Sequence, residues 1–344
     1  MINRRQFTQT CAAALATASL AACSSTSAST PAGGAAPTAG ATAAGSHTSF
    51  PTLKQVNAGV LNVGYAEAGP PNGRPVILLH GWPYDIHSYV DVAPLLASAG
   101  YRVIVPYLRG YGSTHFLSND TFRNGQQAAV AVDIRSFMDA LHIDQAIFGG
   151  FDWGSRTAGI LAALWPERCK ALVAVSGYLI TDLKANLQPL SPTAELGWWY
   201  QYYFATERGV AGYTKNRNDF NKLIWTTVSP LWKFDDATFE RTAGAFDNPD
   251  QVSVVIHNYR WRLSLANGEP QYDAIEQKLA QSPAIAVPTI TVASDFDGPL
   301  KDGAAYRSKF TGRYEHRILS GIGHNVPQEA PQEFAKAIID ADRL

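Results

Sequence analysis

Near the middle of the chain, Gly149-Gly150-Phe151-Asp152-Trp153-Gly154 follows an apolar, β-like run and opens a helical one. Glycines around one reactive side chain, between a strand and a helix, make a sharp turn that lifts that side chain above the sheet edge. Here the side chain is a carboxylate, and that decides the chemistry. A serine at this place would attack acyl carbon, and on saturated carbon it would leave an ether as a dead end. A carboxylate attacking saturated carbon forms an alkyl ester of the protein, and water can attack the carbonyl of that ester and release it. Asp152 therefore selects substrates with a leaving group on saturated carbon, such as an epoxide oxygen or a halide. Asp is also a favoured helix N-cap, so a purely structural role for it stays open.

Such a nucleophile needs an oxyanion site, a base and an acid that orients the base. Leu79-His80-Gly81-Trp82-Pro83 follows another β-like run. There the backbone N–H of Trp82 can pair with that of Trp153 to hold charge on the ester carbonyl, unless Trp82-Pro83 is an ordinary turn. His324 sits in Gly321-Ile322-Gly323-His324-Asn325, between a strand and a helix, where a loop histidine stays accessible as a general base. His115, His142, His257 and His316 lack that setting and read as structural or surface residues. Asp295 and Asp297 both follow the strand-like run before them. Spacing favours Asp297 as the orienting acid, with Asp295 as the alternative. No His or Cys cluster has metal-ligand spacing and no dinucleotide fingerprint appears, so the expected site uses no metal and no cofactor.

Positioning these groups takes alternating strands and helices. Strands are expected at 60–66, 75–79, 101–105, 145–149 and 171–175, and helices at 91–99, 126–141 and 155–164. Residues 178–275 or thereabouts break the alternation and are crowded with Trp, Tyr and Phe, which predicts a mainly helical lid. The pattern resumes with a strand at 287–294, a helix around 301–309, a strand at 314–319 and a last helix from 331. Strand and helix in this order imply an α/β fold whose mostly parallel sheet is covered on both faces.

Of 344 residues, 46% are apolar and 17% charged, enough for a core. Lys plus Arg number 28 against 29 Asp plus Glu, so no basic surplus points to nucleic acid. Arg4 and Arg5 precede an apolar run of small residues at 11–22, too short to span a bilayer and shaped like an export signal. Arg4-Arg5-Gln6-Phe7 resembles a twin-arginine signal, and Leu20-Ala21-Ala22-Cys23 resembles a bacterial lipobox. That implies an exported, periplasmic protein attached to a membrane through lipid on Cys23; ordinary cleavage nearby would leave it soluble. Residues 1–22 are thus the expected signal, 23–49 a tether of Ser, Thr, Ala, Gly and Pro, and 50–344 the folded domain. Cys169 begins an apolar run and reads as a core residue.

Together His80-Gly81-Trp82-Pro83, Gly150-Phe151-Asp152-Trp153-Gly154 and Gly323-His324 resemble the epoxide hydrolases of the α/β-hydrolase fold, over nearly all of 50–344. Tyr200-Gln201-Tyr202-Tyr203-Phe204 and Asn258-Tyr259-Arg260 look like the two lid segments that carry that family's ring-opening tyrosines. The resemblance implies that Tyr200 and Tyr259 donate to the oxirane oxygen of a small hydrophobic substrate while Asp152 attacks, with water completing the reaction. In simpler terms Trp198, Tyr203 and Phe204 are packing residues of a lid helix. Phe151 stands where that family often has histidine, and Ser294 where it usually has glycine. Haloalkane and haloacid dehalogenases share the Asp, His and acid set and are the main alternative. Fluoroacetate dehalogenases add arginines beside the nucleophile, where Trp153 stands here, and Arg109 reads as structural. A non-catalytic binding protein on the same fold is the second alternative.

Overall fold

The computed structural model describes residues 49–344. The signal, Cys23 and the tether up to residue 48 lie outside them. Short runs rich in Val, Ile and Leu between Gly and Pro become strands, and their burial tells where each one lies. β1 (Leu53–Ala58) and β2 (Leu61–Ala68) form an antiparallel hairpin turned at Gly59, whose φ is 58°. β3 (Arg74–Leu79), β4 (Tyr101–Pro106), β6 (Ala146–Gly150), β7 (Cys169–Val175), β8 (Thr289–Ser294) and β9 (Tyr314–Leu319) run parallel, and β5 (His115–Phe116) adds two residues beside β2. The order is β1-β2-β4-β3-β6-β7-β8-β9. β6 is buried throughout, as a central parallel strand covered on both faces must be.

Helices α1 (Val92–Ser98), α2 (Gln127–Ala140), α3 (Trp153–Leu164) and α12 (Pro331–Ala341) cover the sheet, α1 packing on α12 and α2 on α3. From β3 the chain crosses by α1 to β4, then returns by α2 past β3 to β6. Right-handed crossovers put these helices on opposite faces and leave a crevice at the carboxyl ends of β3 and β6, the usual place for a ligand in such sheets. Both Trp82 and Asp152 lie just past those two strand ends.

Between β7 and β8 the chain is helical. α4 (Pro192–Gly197), α5 (Trp199–Phe204), α6 (Glu207–Lys215), α7 (Arg217–Val228), α8 (Asp236–Ala243), α9 (Gln251–Arg262) and α10 (Asp273–Leu279) follow one another. Three of them start on side-chain caps. Ser191, Thr206 and Asp235 accept from the N–H groups of Ala194, Gly209 and Thr238. The lid shares one apolar core with the sheet, in which Phe204, Tyr213 and Trp225 are fully buried. Trp198 and Tyr203 are half-buried against it, so Phe204 alone of the three packing candidates reaches the interior.

The α/β-hydrolase architecture expected from the alternation is present, with two local differences. The helix expected at 301–309 does not form. Only the 3₁₀ turn Arg307–Lys309 forms within that span, where Gly303 at φ 70° breaks the helical path. The short helix α11 (Val326–Glu329), unexpected from the sequence, lies between His324 and α12. Cys169 is 2% exposed, and burial holds its thiol protonated. Arg109 is buried, bonded to Asp133 through Nε at 2.6 Å and Nη2 at 2.7 Å. His257 bridges the Gly125 N–H and the Asn267 carbonyl, and His316 bridges Thr291 and the Lys301 carbonyl.

His80 ties the end of β3 to the loop after β4. It accepts from the Leu108 N–H at 3.1 Å through Nε2, and Nδ1 lies 3.1 Å from the Gly81 carbonyl, which only the neutral Nδ1–H tautomer can satisfy together. Burial pulls its pKa down to about 4. The folded protein then binds fewer protons than the unfolded chain between pH 6.5 and about 4, so His80 stabilises the fold above that window and loses the contribution as pH falls through it. The difference amounts to about 3 kcal/mol. Denaturant titrations at pH 7 and pH 4 should show wild type losing about that much more than His80→Gln; equal losses would refute the assignment.

Candidate active site

The turn after β6 is held by contact with the end of β3. Asp152 has φ 52° and ψ −124°, a strained conformation for a residue with a side chain, and α3 begins immediately after it. A Cβ on Gly81 would meet the Asp152 Cβ at 2.3 Å, and one on Gly154 would meet the Leu79 carbonyl oxygen at 1.8 Å. Only glycine allows this approach. It brings the Trp82 N–H to Asp152 Oδ1 at 2.8 Å. The Trp153 N–H makes no such bond among the described residues, so of the two expected oxyanion donors one is already directed at the carboxylate.

Asp152 Oδ2 lies 3.5 Å from His324 Nε2, with 18% of the aspartate side chain and 8% of the histidine side chain exposed. Burial would push the Asp152 carboxyl up. The hydrogen bond and charge of His324, the charge of Arg156 and the Trp82 N–H outweigh it and hold the group below its ordinary value. A carboxylate kept ionised in a nearly dry site is a competent nucleophile.

His324 is set by its loop. Its N–H donates to Ser229 Oγ at 2.9 Å, and Ser229 Oγ donates to Glu329 Oε1 at 2.7 Å. Glu329 also accepts from the N–H groups of Gly323 at 2.7 Å and Asn325 at 3.1 Å. One buried carboxylate on α11 thus clamps the backbone on both sides of the histidine, with a lid serine as the third partner. Sequence reasoning missed this clamp. Its only sequence signal is an acidic residue one short helix past the histidine, and a glutamate there is usually solvated.

Neither candidate acid bonds to the histidine. Asp297 Oδ2 accepts from the Ser294 N–H at 2.9 Å and closes a capping box, while Asp295 Oδ2 accepts from the Gly321 N–H at 2.7 Å and Oδ1 faces Lys301 Nζ at 3.5 Å. Phe296, between them, covers the imidazole with ring centres 4.2 Å apart. Among the described residues His324 Nδ1 is buried without a partner.

The lid brings two phenols onto Trp82, whose N–H bonds Asp152. Tyr200 on α5 is 5% exposed and Tyr259 on α9 is 1% exposed, their rings 5.3 Å apart and nearly perpendicular. Trp82 packs on both, at 4.9 Å and 5.2 Å. Burial first, with the charge of Asp152 adding to it and for Tyr259 the neighbouring Tyr200 as well, raises the pKa of each phenol, so both keep their protons. Arg260 Nε donates to the Phe204 carbonyl at 3.0 Å and ties α9 to α5. The Trp82 indole N–H donates to Tyr213 Oη at 2.9 Å; Gln251 also donates to that oxygen, and it donates in turn to Asn221. Trp153 Nε1 is buried and has no partner among the described residues. Among the described residues no group of three or more His, Cys, Asp or Glu could hold a metal ion, and no helix is long and apolar enough to cross a membrane.

The clamp carries a stability prediction. Glu329→Ala strands three buried donors, which should lower the unfolding free energy by on the order of 3 kcal/mol in denaturant titrations. A loss below about 0.5 kcal/mol would mean that the clamp is not formed.

A family model described as the alpha/beta hydrolase fold matches residues 74–331. A crystal structure of a protein from Klebsiella pneumoniae subsp. pneumoniae MGH 78578, proposed to be an epoxide hydrolase, superposes with a TM-score of 0.84 at 60% identity, covering 86% of this chain and 98% of that one. Epoxide hydrolase B of Mycobacterium tuberculosis is 33% identical over 156 residues, 41% of this chain and 43% of that protein, so the match spans less than half of the relative. Epoxide hydrolase A of the same organism is 24% identical over 317 residues, 84% of this chain and 97% of its own length. The chain belongs to the α/β-hydrolase fold family, and within it is an epoxide-hydrolase-like enzyme.

Proposed function

We propose that the protein opens an epoxide to a vicinal diol through a covalent ester on Asp152. What supports the reading is an ionised carboxylate on the strained turn together with two protonated phenols that the lid packs on Trp82, the residue whose N–H bonds that carboxylate. Asp152 attacks a ring carbon from one side while Tyr200 and Tyr259 donate to the departing oxygen, which takes up a proton as the ring opens. His324 then takes a proton from water, the hydroxide adds to the ester carbonyl, and the Trp82 N–H, joined by that of Trp153, holds the oxyanion. Collapse frees the diol and restores the carboxylate. Asp297 remains our assignment for the acid that orients His324, on its spacing past β8, with Asp295 as the alternative. Export and lipid attachment at Cys23 stand as part of the same proposal, on the signal-like sequence alone.

Halide chemistry has one observation in its favour, the unpaired indole N–H of Trp153. Against it, the Trp82 indole is committed to Tyr213, and a departing halide has no use for two proton-holding phenols. A non-catalytic binding role leaves the strain at Asp152 and the facing His324 without purpose.

Two measurements test the reading. Intact-mass analysis of His324→Ala after incubation with aryl epoxides should show an adduct of the full epoxide mass on Asp152; adducts from bromoalkanes alone would make the protein a dehalogenase. Replacing Tyr259 or Tyr200 by Phe should lower kcat on epoxides by on the order of a hundredfold for the pair, and an unchanged kcat in the double variant would remove the phenols from the mechanism.

A further inference from the structure

Among the described residues neither Asp295 nor Asp297 bonds the His324 ring, so the aim of the imidazole, 3.5 Å from Asp152, comes from the backbone that carries it. That backbone is gripped from the lid. The His324 N–H is shared between two acceptors at the end of α7, the Val228 carbonyl at 3.2 Å and Ser229 Oγ at 2.9 Å. Ser229 Oγ donates in turn to Glu329 at 2.7 Å, the carboxylate that also takes the N–H groups of Gly323 and Asn325. Lid and loop approach so closely that a Cβ on Gly323 would meet the Ser229 Cα and Oγ at 2.5 Å. Any side chain there would push the lid off the base.

The same helix end grips the oxyanion loop. Trp225, one turn before Ser229, donates its indole N–H to the Pro83 carbonyl at 2.8 Å. Pro83 follows Trp82, whose own N–H bonds Asp152. Tyr84 stacks on the Trp225 indole at 4.8 Å, and its ring centre lies 5.9 Å from that of His324. Five residues of lid, 225–229, therefore touch both the loop that carries the oxyanion donor and the loop that carries the base. They are stiff as well as well placed. Trp232 stacks on Trp225 at 5.3 Å, Phe239 meets it edge-on at 5.2 Å, and the Trp232 N–H closes a turn on the Ser229 carbonyl at 3.1 Å. Close packing of this kind transmits a displacement instead of absorbing it.

We propose that the last turn of α7, through Ser229 and Trp225, sets His324 relative to the oxyanion loop, and that Ser229 is a positioning residue for the water-activating step alone. The inference rests on the two-step reading above. In the second step water gives a proton to the imidazole and its oxygen to the ester carbonyl carbon. The bond from that carbon to the alkyl oxygen then breaks, and the proton returns to the departing alkoxide. Base, water and the Trp82 N–H must share one geometry at that moment, and α7 is the element that spans the two loops. Ester formation makes no such demand. Asp152 is placed by the contact of Gly81 and Gly154 with the strand ends, and Tyr200 and Tyr259 stand on α5 and α9.

The test uses the full chain carrying Ser229→Ala. In it Glu329 keeps two N–H donors and the His324 N–H keeps the Val228 carbonyl, so the fold persists. Rapid quenching followed by intact-mass analysis, with an aryl epoxide, reads the two half-reactions separately. Ester formation should hold its rate to within about twofold, while ester hydrolysis slows on the order of ten- to a hundredfold and the ester becomes the main form of the protein at steady state. Trp225→Phe, which keeps a ring but loses the bond to Pro83, should show the same split. Equal slowing of both steps in Ser229→Ala would reduce the contact to a structural one, and unchanged hydrolysis would mean that the lid does not set the base; either result overturns the proposal. If epoxides leave wild-type Asp152 unmodified while bromoalkanes esterify it, the epoxide reading falls and the same two rates, read with a bromoalkane, decide the role of Ser229. Should neither class esterify Asp152, the crystal structure of Ser229→Ala decides it without substrate. His324 Nε2 should then stand farther from Asp152 by on the order of 0.5 Å or more, and an unmoved imidazole overturns the proposal.

Discussion

The close approach of two backbones at the ends of β3 and β6 is the constraint on which the site depends. Gly81 against Asp152 and Gly154 against the Leu79 carbonyl leave no room for a side chain on either glycine. That contact delivers the Trp82 N–H to the carboxylate and holds Asp152 at a backbone angle that side chains avoid, at a cost of about 1–3 kcal/mol that the surrounding core must offset. It also sends the Trp82 ring upward into the lid. There Tyr213 anchors its indole while Tyr200 and Tyr259 pack on its faces and edge. Strand ends, nucleophile and lid tyrosines are one packed unit.

Burial acts on this unit in opposite senses, and the difference separates the roles. Both phenols are raised by burial, and the negative charge below them adds to the effect, so they stay donors. Asp152 is buried too, but Trp82, His324 and Arg156 supply enough positive potential to keep it ionised. Groups driven apart in this way can act as acid and nucleophile at one pH. Arg156 contributes on both counts, since its charge steadies Asp152 and also acts on both phenols.

Much of this was legible in the sequence because it is local. The turn around Asp152, the Gly-rich loop of His324 and the strand–helix alternation are each written within a few neighbouring residues. The helix expected at 301–309 failed for a local reason as well, since Gly303 takes a left-handed φ of 70° inside it. What could not be read depends on residues far apart. Glu329 gains its role from α11 folding back onto the loop and from Ser229 descending from the lid. Spacing singled out Asp297, yet the direction of its side chain is set by the Ser294 N–H, which spacing does not reveal.

The central claim is that the oxygen added to the substrate carbon comes from Asp152 and not directly from water. A single turnover with enzyme in excess, run in water enriched in heavy oxygen, tests it most directly. The account predicts that the first diol carries no label and that the label appears in the carboxyl of Asp152, found by mass analysis of the peptide that contains it. A labelled diol with an unlabelled Asp152 would mean that water attacks the substrate itself, and would contradict the covalent mechanism.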